Sequence, residues 1–149
     1  MKAHLQAEID HLNAMVIDLA NQVEPTVLEA VRAVTERDET LAKRIIDGDN
    51  AIDRFEVRIE EECLKILALH QPVAGDLRYV ITLLKVNSEL ERIGDLAVNI
   101  AERADDLARL APVEELPDFT EMVFEVRSML KKSLDSLVAR DSLAARHAA

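Results

Sequence analysis

Residues 5–23 read LQAEIDHLNAMVIDLANQV, and their apolar side chains recur at the spacing of an α-helix. The stripe alternates steps of four and three residues through Leu5, Ile9, Leu12, Val16, Leu19 and Val23. It resumes beyond Pro25 and continues as far as Val34. This pattern predicts one helix of about nine turns, which the proline kinks but does not end.

A second helix is predicted from the apolar face that runs between Leu41 and Ile66. Asp38 suits its N-cap. The face stays in phase across Gly48, so we expect the helix to continue through the glycine. The tripeptide His70-Gln71-Pro72 ends it, and Pro72 suits the first turn of a third helix.

The third helix extends to about residue 107, and a linker-like stretch at 111–117 separates it from a fourth apolar stripe that starts at Phe119. Residues 138–146 echo residues 34–44 with one gap, although the match is short enough for chance to explain it. The predicted domains are therefore a three-helix repeat (1–110), a linker (111–117) and the first helix of a second, incomplete repeat (118–149).

Composition supports an all-α fold, an up-down antiparallel bundle of long helices. Three glycines and four prolines are too few to turn a many-stranded sheet. A net charge of −11 argues against nucleic acid as a partner. The single Cys63 fits a reducing compartment and a buried apolar role. No apolar run has the length of a bilayer span, and Glu8 and Asp10 argue against a signal peptide, so we expect a cytoplasmic protein without membrane insertion.

Two acidic pairs form the candidate site, and each has the i, i+4 spacing that puts both carboxylates on one helix face: Asp49 with Asp53, and Glu91 with Asp95. The short turn between the second and third helices makes them antiparallel neighbours. At 1.5 Å per residue, Asp53 and Glu91 lie about 26 and 28 Å from that turn. We therefore expect the four carboxylates to converge if the two faces turn toward each other.

Converging carboxylates repel one another, by roughly 1 kcal/mol at 4 Å in water and about 4 kcal/mol near a protein surface. They must be protonated, bound to a cation, or paired with Arg54, Arg58 or Arg92. An all-oxygen set suits hard cations such as Mg²⁺, Mn²⁺ or oxidised iron better than tetrahedral zinc. The alternative is that these are ordinary exposed acids paired with the arginines.

A second candidate function comes from Glu8-x-x-His11, the spacing used in di-iron four-helix bundles. A carboxylate-bridged, ferritin-like di-metal enzyme would need a second such motif, but Leu67 precedes His70 at that spacing. We therefore expect His11 to be exposed. No nucleophile with a base and no phosphate loop is evident, so the sequence does not predict an enzyme.

Residues 89–95, which read ELERIGD, together with Asn99 one turn later, resemble the PhoU family of bacterial phosphate-uptake regulators. The resemblance extends to residues 71–78 (QPVAGDLR) and 41–53, and it covers about residues 5–110 well. It implies a fold of two three-helix repeats, each carrying E(D)xxxD motifs that can hold metal clusters.

The motif falls here on Glu91 and Asp95 and, on the preceding helix, on Asp49 and Asp53. The resemblance thus implies a bound metal, with iron and zinc among the candidates, and the oxygen donors add manganese and magnesium. Further ligands would be Glu56, Glu60 and Asn99.

The resemblance also implies a role. Family members are cytoplasmic negative regulators that are thought to link the phosphate-specific ABC transporter to a membrane sensor histidine kinase. Members usually carry both repeats, whereas this sequence holds only the first helix of the second. The fourth helix would leave an apolar face to cover, which favours oligomerisation, as a homodimer, or a missing C-terminal part.

Overall fold

The structure, a computed structural model, describes residues 2–112 and 114–147, with side chains for 3–112 and 114–139. Its helices are α1 (Lys2–Glu36), α2 (Glu39–His70), α3 (Ala74–Ala108) and α4 (Thr120–His147). The all-α prediction is confirmed, because no strand occurs in this part of the chain. The chain divides into two compact units, residues 1–112 and 113–149.

The predicted boundaries at 110 and 118 stay a prediction. Val113, in the predicted linker, and the last two residues lie outside the described ranges.

The first unit is an up-down bundle in which α1, α2 and α3 all pack against one another. As predicted, α1 continues through Pro25 and α2 through Gly48. The largest fully buried side chains include Leu12, Leu19, Ile59, Ile66, Leu83 and Leu90. Burying such large branched side chains removes apolar area from water, which stabilises the unit.

Small side chains form the core where α1 ends, α2 begins and α3 ends. The buried alanines of this region are Ala30, Ala33, Ala42, Ala97, Ala101 and Ala104. Because alanine projects little from its helix, the three helix axes can approach closely there. This close packing lies next to the acidic pairs on α2 and α3.

Arg37 and Asp38 form the connection between α1 and α2. The Asp38 carboxylate accepts a hydrogen bond from the Leu41 amide at 2.9 Å, which confirms the predicted N-cap. Arg37 adopts a left-handed conformation with φ of 54°. Its guanidinium donates hydrogen bonds to the carbonyls of Leu107, Leu110 and Ala111 at the C-terminal end of α3. A side chain from the connection between α1 and α2 therefore caps the C-terminal end of α3.

The connection between α2 and α3 differs from the prediction at Pro72. Gln71 ends α2 in a left-handed conformation, with its amide donating to the Leu67 carbonyl at 3.2 Å. Val73 is extended and serves as the N-cap of α3. The helix thus begins at Ala74, and the prediction that Pro72 lies in its first turn is wrong, because the extended Val73 intervenes.

The second unit contains α4. Phe119 precedes the helix, and its carbonyl accepts from the Val123 amide at 2.9 Å, while Asp118 accepts from the Thr120 amide at 2.9 Å. Met122, Phe124 and Met129 expose more than half of their surface. Among the described residues, no helix combines the length and the apolar character needed to cross a bilayer.

Candidate metal centre

The packing of α2 against α3 brings three of the four predicted carboxylates together. One oxygen each from Asp49, Asp53 and Asp95 lies within 4.8 Å of the other two. Gly94 lies beside this group, and a Cβ there would make ordinary contacts, 3.5 Å from Ile52 and 4.0 Å from the Asp49 Oδ1. Asp49 and Asp53 of α2 therefore lie at the same height as Asp95 of α3, as their distances from the connecting turn predict.

Glu91, the fourth predicted residue, lies beside this group of three rather than in it. Burial, a hydrogen bond with Asp95, and the charges of Asp95, Asp53 and Glu56 raise the pKa of Glu91 to about 7. In its protonated form, Glu91 can donate this hydrogen bond to the Asp95 carboxylate. At neutral pH the protonated and ionised forms of Glu91 are therefore both populated.

Two oxygens of the cluster are buried and accept no hydrogen bond: Oδ1 of Asp49 and Oδ1 of Asp53. Burial, followed by the charges of Asp53 and Asp95, raises the pKa of Asp49. A buried carboxylate oxygen without a donor is costly and calls for a compensating positive charge.

Two of the three arginines that might supply this charge make other contacts. Arg54 Nε donates to the Asn50 carbonyl at 3.1 Å, and the Arg58 guanidinium lies 4.9 Å from the centre of the Phe55 ring. Within the described side chains, none of the four acidic residues takes part in an ion pair. The alternative of ordinary acids paired with arginines is thus not what the structure shows.

The further predicted ligands differ in their placement. Burial and the charges of Glu60 and Asp53 raise the pKa of Glu56, which lies one turn from Asp53. Asn87, fully buried, donates from Nδ2 to the Glu56 carbonyl at 3.0 Å and to its Oε1 at 3.3 Å. Glu60 and Asn99 are exposed.

Sequence reasoning missed Asn87. The available signal was a polar residue in phase with Leu83 and Leu90 on the buried stripe of α3.

These residues fit a hard cation. Three carboxylate oxygens converge, Asp49 and Asp53 each have a buried oxygen without a donor, and no sulfur or imidazole joins them. Mg²⁺, Mn²⁺ and oxidised iron prefer such an all-oxygen set. That these residues bind a metal stays a prediction.

Two other predicted features can be placed. Cys63 is fully buried, as predicted, and burial raises the pKa of its thiol to about 11. His11 is exposed, as predicted. Glu8 interacts with His4 and His70 instead of His11. The Glu8-x-x-His11 spacing thus does not form the ligand pair that the ferritin-like alternative requires.

Comparison with known proteins identifies relatives of this chain. A family model described as PhoU domain matches residues 16–104. A phosphate-specific transport system accessory protein PhoU homolog from Aquifex aeolicus is 38% identical over 139 residues, which cover 93% of this chain and 63% of that protein. The accessory protein PhoU of Escherichia coli K12 is 38% identical over 104 residues, covering 70% and 43%.

Solved structures agree. PhoU from Pseudomonas aeruginosa superposes with a TM-score of 0.78 at 34% identity, covering 89% of this chain and 64% of that one. The phosphate transport system regulatory protein PhoU from Streptococcus pneumoniae gives 0.79 at 30% identity, covering 89% and 62%. This chain thus spans less than two thirds of the length of these four relatives, which are named as accessory or regulatory proteins or as PhoU rather than as enzymes. With the family domain matched over more than half of its residues, the chain belongs to the PhoU family.

Proposed function

We propose that this protein is a non-enzymatic, cytoplasmic accessory regulator of a phosphate-specific transport system. It damps phosphate uptake by linking the ATPase of the ABC transporter to a sensor histidine kinase. The observation that carries the proposal is the PhoU-domain match over residues 16–104, which includes the acidic pairs of both α2 and α3. Support also comes from relatives named as accessory and regulatory proteins of phosphate transport.

The proposal includes a metal ion as the organiser of the acidic face. Asp49, Asp53 and Asp95 would provide the first oxygens, and Glu91 would join once it loses its proton. A bound cation would neutralise the two buried oxygens that accept no hydrogen bond. Iron, manganese and magnesium suit this oxygen set best, and zinc suits it less well.

Metal binding can be tested on the purified full chain. We expect metal-free protein to take up Mn²⁺ or iron in a fixed ratio, and Asp53→Asn or Glu91→Gln to weaken the binding by tenfold or more. Asp47→Asn is the matched control, because Asp47 is an exposed acid on the same helix. If the protein stays metal-free with iron, manganese, magnesium and zinc, the metal site is wrong. Oxygen consumption by the iron-loaded protein would favour the carboxylate-bridged enzyme.

The regulatory role needs a test in cells. Deleting the gene should raise phosphate uptake and the expression of a phosphate-starvation reporter in phosphate-rich medium. The wild-type gene should restore both to their low levels, and Asp47→Asn should do so equally well. If deletion leaves uptake and reporter expression unchanged, the regulatory proposal fails whatever the protein binds.

A homodimer is part of the same proposal. Met122, Phe124 and Met129 of α4 are largely exposed, and a second copy would remove this apolar surface from water. Light scattering should therefore give twice the mass of one chain. A well-folded monomer at micromolar concentration would contradict the pairing.

A further inference from the structure

Two histidines and a glutamate meet at the end of the first unit where α1 begins and α2 ends. Glu8 Oε2 lies 2.8 Å from His70 Nε2, and Glu8 Oε1 lies 3.3 Å from His4 Nε2. The two imidazole rings meet edge to face, with their centres 5.5 Å apart. One potential ligand atom from each of the three residues lies within 4.8 Å of the other two.

The backbone holds these side chains in place. His4 and Glu8 are four residues apart and share one face of α1. His70 is the last residue of α2, directly before the left-handed Gln71 that ends the helix. The side chains of His70 and Glu8 are 13% and 22% exposed, whereas that of His4 is 72% exposed. The cluster thus has two largely covered members and opens to solvent on the His4 side.

We propose that His4, Glu8 and His70 bind a borderline transition-metal cation, Zn²⁺ above all, at a site separate from the acidic cluster. Two imidazoles and one carboxylate are a known three-ligand set for zinc, with water as the fourth ligand. Tetrahedral ligands 2.0–2.1 Å from a zinc ion are about 3.4 Å apart. The Glu8 oxygens already lie near that distance from both imidazoles, and the exposed side leaves room for water.

The chemistry of the two sites differs. Imidazole nitrogen suits zinc, copper, iron and nickel, whereas magnesium prefers oxygen. His70 lies 17 residues along α2 from Asp53, about 26 Å at the rise of an α-helix. Ions at the two sites therefore do not share ligands, and each site can be removed without touching the other.

A cation at this position joins the first turns of α1 to the last turn of α2. A ligand that binds only the folded state stabilises it, so Zn²⁺ should raise the Tm of the protein. A coordinating imidazole nitrogen must carry no proton, so a proton on Nε2 has to move to Nδ1 before zinc can bind there.

The test uses the full chain with Asp53→Asn and Glu91→Gln, so that the acidic cluster does not contribute and the result does not depend on the proposed function. Zn²⁺ is titrated in competition with a chromophoric chelator. We expect one Zn²⁺ per chain, with affinity reduced at least tenfold by His70→Gln and by His4→Gln. His11→Gln, an exposed histidine on the same helix as His4, should bind as the parent does.

The exposed position of His4 keeps the test decisive if His70→Gln impairs folding, because His4→Gln removes a ligand without disturbing the core. Zn²⁺ should raise the Tm of the parent by about 4 °C or more, Mg²⁺ should not, and His4→Gln should abolish the rise. Zinc binding that survives both histidine substitutions would overturn the proposal. So would the absence of stoichiometric binding, which would leave only the polar contacts between Glu8 and the two imidazoles.

Discussion

Glu91 keeps its proton to a higher pH than a free glutamate, since burial and the neighbouring carboxylates raise its pKa to about 7 from the ordinary 4.5. The folded protein thus binds a proton that the unfolded chain releases. For a carboxyl group with a raised pKa, the free energy of unfolding falls as pH rises from the unfolded to the folded value. We expect metal-free protein to lose stability between pH 4.5 and about 7, on the order of 1 kcal/mol because solvent screens the cluster.

Urea unfolding of the metal-free protein across this pH range measures the effect. Glu91→Gln should flatten the dependence and make the protein more stable than wild type above pH 7. The matched control is Glu61→Gln, which alters an exposed acid on α2. A pH dependence that is the same in Glu91→Gln as in wild type would assign the loss to other groups.

The thiol of Cys63 gives a second prediction. Burial raises its pKa to about 11, and the side chain has no exposed surface. At pH 8 its thiolate should be about a hundredfold scarcer than that of a thiol with the ordinary value of 9. Iodoacetamide should therefore modify native protein at least a hundredfold more slowly than urea-unfolded protein, as followed by mass spectrometry. Equal rates would contradict the buried position.

The sequence could predict the levels of the acidic residues but not their exact partners. The short turn and the rise per residue determine that Asp53 and Glu91 lie side by side. Which carboxylates meet depends on the rotation of each helix about its axis, and packing between residues far apart in the chain sets that rotation. The pairing of Glu8 with His70 joins residues 62 apart in the chain, and no local period encodes it.

At the level of the helices, Gly48 tests the continuity of α2. It lies in the interior of the helix, and a Cβ there would meet no atom within 4 Å. Replacing it with alanine removes backbone freedom from the unfolded chain without a steric clash. Gly48→Ala should therefore raise the free energy of unfolding by about 1 kcal/mol in a urea titration. A loss of stability would indicate that α2 is interrupted at this position.

Helix ends were harder to predict than helix faces. The apolar stripes identified all the helices, because burial of one face demands a regular period. The connections use left-handed conformations at Arg37, Gln71 and Ala74 where glycine is usual, so the sequence carries no glycine signal for them. The prediction that Pro72 lies in the first turn of α3 rests on the preference of proline for that position, whereas Val73 separates it from the helix.

For the molecule as a whole, the first unit contains its own buried core and both candidate sites. A fragment of residues 1–112 should therefore fold by itself, with a helical circular dichroism spectrum and a single cooperative thermal transition. Limited proteolysis of the full chain should leave a stable product of this length. A fragment that remains unfolded at micromolar concentration would show that the first unit depends on the rest of the chain.

Arg37 has a mechanical consequence for that unit. Its guanidinium holds the last carbonyls of α3, while its backbone joins α1 to α2. A force applied through residues 110–112 therefore pulls on the junction of the other two helices as well as on α3. Loss of the guanidinium would therefore release the C-terminal end of α3 from the α1–α2 connection.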